Sequence, residues 1–152
     1  MRVTLLLADA AEAVNGKLYI LGGGWSVTGP GPVPFAIALK IEVPWDQANT
    51  RHELKLELLD GDGQPVALAQ EPGGEPSPLV IGGSFEVGRP PGLPAGTPLD
   101  SVLAVTFSHG LPLAPGSRYE WRLSINDETR DDWRLAFTTR PAPPGALVPP
   151  TI

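Results

Sequence analysis

Cysteine is missing from the chain, so no disulfide framework, thiolate metal site or thiol nucleophile is available to it. Its core must be stabilised by packing, and a reducing compartment suits it. Histidine is scarce: His52 and His109 stand far apart, with no H-x-x-H or H-E-x-x-H spacing, so each reads as a surface or loop residue rather than a zinc ligand. Positive charge is thin as well. Eleven Lys and Arg stand against 17 Asp and Glu, a net charge of −6 with no basic cluster, which argues against nucleic acid as a partner. No apolar run approaches the ~20 residues of a membrane span. The apolar start Val3-Thr4-Leu5-Leu6-Leu7-Ala8 is broken by Asp9 and Glu12, so it does not read as a secretory signal. Together these absences predict a cytoplasmic protein with no membrane partner.

Glycine and proline, in contrast, are plentiful, with 18 and 19 copies that cluster between apolar runs as turns between short strands do. The 41% hydrophobic content argues for a folded chain. Two-residue alternation is the dominant pattern. Phe35, Ile37, Leu39, Ile41 and Val43 share one side, with Ala36, Ala38, Lys40 and Glu42 on the other. Leu54, Leu56 and Leu58 alternate with charged residues, and three more segments repeat the pattern: Leu103, Val105, Phe107; Tyr119, Trp121, Leu123, Ile125; and Trp133, Leu135, Phe137. Residues 3–7 and 17–21 are nearly continuous apolar runs, suited to strands covered on both faces or near the centre of a sheet. Residues 65–68 and 79–87 are weaker strand candidates, and residues 9–14 alone have helical character. About eight or nine strands are expected, in an all-β antiparallel sandwich of immunoglobulin-like or C2-like type.

Asp60-Gly61-Asp62-Gly63 is a strong turn signal, and residues 126–131 are expected to join the two Trp-bearing strands into a hairpin. No internal repeat or linker divides the chain. Residues 1–140 are predicted to form a single domain, followed by a Pro-rich tail at 141–152 that cannot pair as a central strand.

Candidate sites are few. Gly22-Gly23-Gly24 lacks the following helix and lysine of a phosphate loop and reads as a kink or loop. Two acidic groups raise a calcium hypothesis: Asp60 with Asp62, and Asp127, Glu128, Asp131 and Asp132, on loops that could converge at one end of a sandwich. Solvated turns are the favoured reading of both. Ser84 lacks the glycine two residues on that a nucleophile elbow needs, Glu86 standing there instead. Trp121 and Trp133 keep phase with core residues, whereas Trp25 and Trp45 lie in Gly/Pro-rich loops and are candidates for a contact surface. Ala146, Leu147, Val148 and Ile152 are candidate docking residues in the tail.

The stretches Leu7-Ala8-Asp9-Ala10-Ala11, Gly16-Lys17-Leu18-Tyr19-Ile20-Leu21-Gly22-Gly23-Gly24-Trp25 and Leu58-Leu59-Asp60-Gly61-Asp62-Gly63-Gln64-Pro65-Val66 resemble a family of short bacterial proteins of unknown function. That resemblance implies an uncharacterised sandwich and supplies no catalytic residues. Leu113-Ala114-Pro115-Gly116-Ser117-Arg118-Tyr119-Glu120-Trp121 resembles the Pro-Gly-then-aromatic start of a strand in immunoglobulin-like and C2-like sandwiches, which bears on fold and not on function. The expected function is a non-enzymatic binding or assembly module without a cofactor, self-associating or binding another protein, because edge strands must be covered. The alternative is a small-molecule or carbohydrate binder, with the Trp25 and Trp45 loops as a cradle and calcium as a possible aid.

Overall fold

The computed structural model describes residues 1–69 and 71–145. Eleven strands follow one another among these residues: β1 (Arg2–Val14), β2 (Lys17–Gly23), β3 (Val27–Thr28), β4 (Phe35–Val43), β5 (His52–Asp60), β6 (Ala67–Leu68), β7 (Ser77–Pro78), β8 (Val80–Phe85), β9 (Leu99–Phe107), β10 (Arg118–Ile125) and β11 (Arg134–Thr139). A four-stranded sheet in the order β2-β1-β4-β9 faces a five-stranded sheet in the order β3-β11-β10-β5-β8, and β6 and β7 form a small separate ladder. The strand count exceeds eight or nine because β3, β6 and β7 are two residues each. Pairing is antiparallel except for β3 on β11. The first part of the chain therefore begins in one sheet and crosses to the edge of the other. The chain then alternates between sheets from β4 to β5, β8 to β9 and β9 to β10, the Greek-key wiring of an immunoglobulin-like sandwich.

The alternation in β4 positions the core directly. Ile37, Leu39, Ile41 and Val43 meet Leu56, Leu58, Trp121 and Leu123 of the opposing sheet, all of them almost wholly removed from water. Each such side chain contributes about 1.5–3 kcal/mol of transfer free energy. One end of this core is aromatic. Trp25 meets Phe35 edge-on at 6.1 Å, Phe35 stacks on its cross-strand partner Phe107 at 4.6 Å, and Phe107 reaches Trp121 at 5.4 Å.

The segment before β10 forms a tyrosine corner. The Ala114 N–H donates to the Tyr119 hydroxyl at 2.9 Å, while Thr139 Oγ1 donates to the Ala114 carbonyl at 2.6 Å. Both backbone groups of Ala114 are thus paired, which fixes the angle at which the chain enters β10. Trp121, two residues after the tyrosine, is fully buried in the position where antibody domains place the second cysteine of their disulfide. Packing between the sheets does the work here that a covalent bridge does there.

Three expectations need correction. Residues 9–14 are not helical but continue β1, because Asn15 (φ 51°) and Gly16 (φ 72°) form the two-residue left-handed turn of a tight hairpin and bring β2 back along β1. Residues 17–21 are not covered on both faces: Tyr19, Ile20 and Leu21 are exposed. His52 is neither a surface nor a loop residue. It is buried at the start of β5, stacks on Phe85, gives its Nε2–H to the Gln47 carbonyl and accepts at Nδ1 from the Asn126 amide, both at 3.0 Å.

Candidate functional site

The surface most unlike the rest of the molecule is the ribbon of residues 9–23. Up to Ala8, β1 pairs with β4; there it has reached Ala36, next to the first residue of β4, and from Ala8 onward its other edge pairs with β2. Beyond Ala8 the ribbon no longer pairs with β4, and both of its strands approach β9. Ala8, Ala36 and Ala38 keep the phase of the outer face but are buried, which requires a cover over that sheet. The ribbon is the element positioned to supply it, and alanine is the side chain that lets a third layer come close.

Cross-strand partners share a face. One face carries Ala11, Ala13, Leu18 and Ile20, of which Ala11 and Leu18 are half-buried, while Ala13 and Gly16 border the first residues of β9. The other carries Ala10, Glu12 and Val14 opposite Leu21, Tyr19 and Lys17, and all six are exposed. Leu21 is 71% and Tyr19 57% exposed, the two highest values among the large apolar side chains described. Gly22 (φ 61°) faces Asp9, and a Cβ there would collide with the Asp9 carboxylate, so the glycine run serves the path of the ribbon. A depression of about 650 Å³ lies at the ribbon's root, with Asp9, Ala11, Tyr19, Pro34, Phe35 and Thr106 among its walls.

Trp25 and Trp45 are not neighbours. Trp25 packs beside Phe35 where β4 begins, and Trp45 follows Val43 where β4 ends, so about 26 Å of extended strand separates them at about 3.3 Å per residue. The two loops do not form one cradle. Trp25 anchors the chain as it crosses between sheets, with its indole nitrogen shielded. Trp45 is held by Arg89, whose guanidinium lies 4.8 Å from the ring centre and donates to the Trp45 carbonyl at 2.6 and 3.1 Å. Trp45 also borders an open depression of about 670 Å³ together with Met1, Arg2, Pro44 and Pro98.

The acidic groups also separate. Asp60 lies opposite Tyr119 at the start of β10, whereas Asp127, Asp131 and Asp132 follow its last residue, Ile125. An entire strand stands between them. No three His, Cys, Asp or Glu side chains gather around a common point among the described residues, so the calcium grouping is not formed. Asp60 acts in its own turn, where Oδ1 accepts the N–H groups of Asp62 at 2.9 Å and Gln64 at 3.0 Å. The outer face of the five-stranded sheet is charged, with Lys55 bridging Glu57 at 2.8 Å and Arg122 bridging Glu120 at 3.2 Å. The hydrogen bond that Lys55 donates to Glu57, and then the charge of Glu57, raise the Lys55 pKa above the ordinary lysine value. The tail candidates Ala146, Leu147, Val148 and Ile152 lie outside the described residues.

Sequence reasoning missed the ribbon as a surface. Asn15-Gly16 was the available signal, since that dipeptide between apolar runs marks a tight hairpin. In comparison with known proteins, the description Family of unknown function (DUF6941) matches residues 3–138 of the chain. No curated protein and no solved structure matches it.

Proposed function

This chain belongs to that family of unknown function, and from this premise we propose that it is a non-enzymatic binding or assembly module that meets its partner through the β1–β2 ribbon. The observation that carries the reading is the exposed face of Val14, Tyr19 and Leu21 on a two-stranded extension. Contiguous apolar surface of this kind costs solvation unless something covers it, and large apolar and aromatic side chains rimmed by charge are the usual anchors of protein contacts. The side chains best suited to chemistry are engaged elsewhere, His52 in two structural hydrogen bonds and Asp60 in its turn.

The test is co-purification from cells that make the protein naturally. The unaltered chain is expected to retain a protein partner, whether another protein or a second copy of itself. The Tyr19→Ser, Leu21→Ser double variant is expected to lose it while melting at the same temperature. A chain that retains no other protein and also stays monomeric at high concentration, or a double variant that associates as much as the unaltered one, overturns the reading. A second reading, small-molecule binding, is favoured by one observation, the 670 Å³ depression beside Trp45. Arg89 already occupies one side of that indole, so a ligand would stack only on the other. A change in tryptophan fluorescence on adding monosaccharides, lost in Trp45→Leu, would support it.

A further inference from the structure

We infer that the partner of the ribbon is a second copy of this chain, packed face to face about a two-fold axis that runs along the ribbon. This inference rests on the preceding reading and adds the identity of the partner. Two properties of the exposed face carry it. The first is shape. In each of the three cross-strand rows the longer side chain, Leu21, Tyr19 or Lys17, stands on β2 and the shorter one, Ala10, Glu12 or Val14, on β1. A two-fold axis along the ribbon lays β1 of each copy over β2 of the other. Ala10 then receives the partner's Leu21, and Val14 lies along the methylene stem of the partner's Lys17. A surface with large side chains on one side and small ones on the other is complementary to itself under that rotation, as an isologous interface must be.

The second property is charge. The face holds one acid, Glu12, and one base, Lys17, and neither forms an ion pair within the described chain. In the two-fold arrangement each Glu12 lies over the partner's Tyr19, one row from the partner's Lys17. Glu12 thus reaches Lys17 across the interface twice, once on each side of the axis. A purely acidic or purely basic face would repel its own copy, and this one does not. The ribbon face spans about 13 Å, four residue steps at about 3.3 Å each, and is two strands wide. That is small beside the about 800 Å² per partner of a standard interface, so the dimer is weak and reversible, with charge helping to fix the register.

The experiment is sedimentation velocity on the full chain over roughly micromolar to millimolar concentration. The unaltered protein is expected to pass from monomer to dimer, and Tyr19→Ser with Leu21→Ser to remain monomeric. Glu12→Lys and Lys17→Glu, each alone, turn attraction into repulsion at both crossings and are expected to weaken the dimer on the order of tenfold. Combined in one chain, they restore complementarity and the dimer. A double charge variant no better than the single ones overturns the inference, as does a dimer that survives Tyr19→Ser with Leu21→Ser, or an unaltered chain that is monomeric throughout. If the chain is monomeric yet the serine variant loses a different co-purifying protein, the two-fold inference fails while the contact reading stands. If neither dimer nor partner is found, both fail.

Discussion

The β1–β2 and β10–β11 hairpins invite comparison because they are so similar in sequence logic. Each places large apolar residues on its strands, and each turns on residues in the left-handed region, Asn15 and Gly16 in one and Asn126 and Asp127 in the other. In β10 the alternating residues Tyr119, Trp121, Leu123 and Ile125 are buried, whereas in β2 Tyr19 and Leu21 stand in water. The cause is what lies opposite. β10 is central in its sheet and faces β4 across the core, but beyond Ala8 the β1–β2 ribbon no longer pairs with β4 and, among the described residues, no second sheet meets its outer face. Apolar side chains at period two show that a strand has a face; the presence of an opposing layer decides whether that face is core or contact surface.

The comparison can be broken most sharply at Trp121. Trp121→Ala removes the largest fully buried side chain and is expected to cost about 3–5 kcal/mol, measured by denaturant unfolding. A loss under about 1 kcal/mol would mean that β10 is no more of a core element than β2. The next largest effect is expected at the corner that aims β10 inward. Tyr119→Phe keeps the ring on Phe137 but leaves the Ala114 N–H without its acceptor, a cost of about 1 kcal/mol in the same unfolding measurement. The smallest is expected in the ribbon. Tyr19→Ser with Leu21→Ser changes stability within about 0.5 kcal/mol, read as an unchanged midpoint, although two large apolar side chains are lost. A destabilisation as large as that of Trp121→Ala would place the ribbon in the cooperative core.

Much of the fold is legible in the order of the residues. The five alternating residues of β4 and the matching runs in β5, β9 and β10 announce faces that must meet, and Asn126 at a left-handed turn does open the connection from β10 to β11, with Trp133 standing just before β11 and not on it. The site is far less legible. Residues 9–14 read as helical because alanine and glutamate favour a helix locally, and the pairing imposed by the Asn15-Gly16 turn overrides that preference. Trp25 and Trp45 look alike in their Gly/Pro-rich loops, yet only contacts show that one fills the end of the core and the other lies under Arg89. His52 has a polar sequence setting, and its burial becomes visible only when Gln47 and Asn126 arrive from distant segments.

By itself the sequence determined the period of the strands, the places where the chain could turn and the residues able to form a core without a disulfide, because these follow from local sterics and side-chain polarity. The tertiary structure alone decided which apolar faces found a partner, since burial depends on what another part of the chain brings opposite. It also set the acidic turns at opposite ends of β10, and it took the β1–β2 ribbon out of pairing with β4, leaving a face on which nothing described in the chain covers Tyr19 and Leu21.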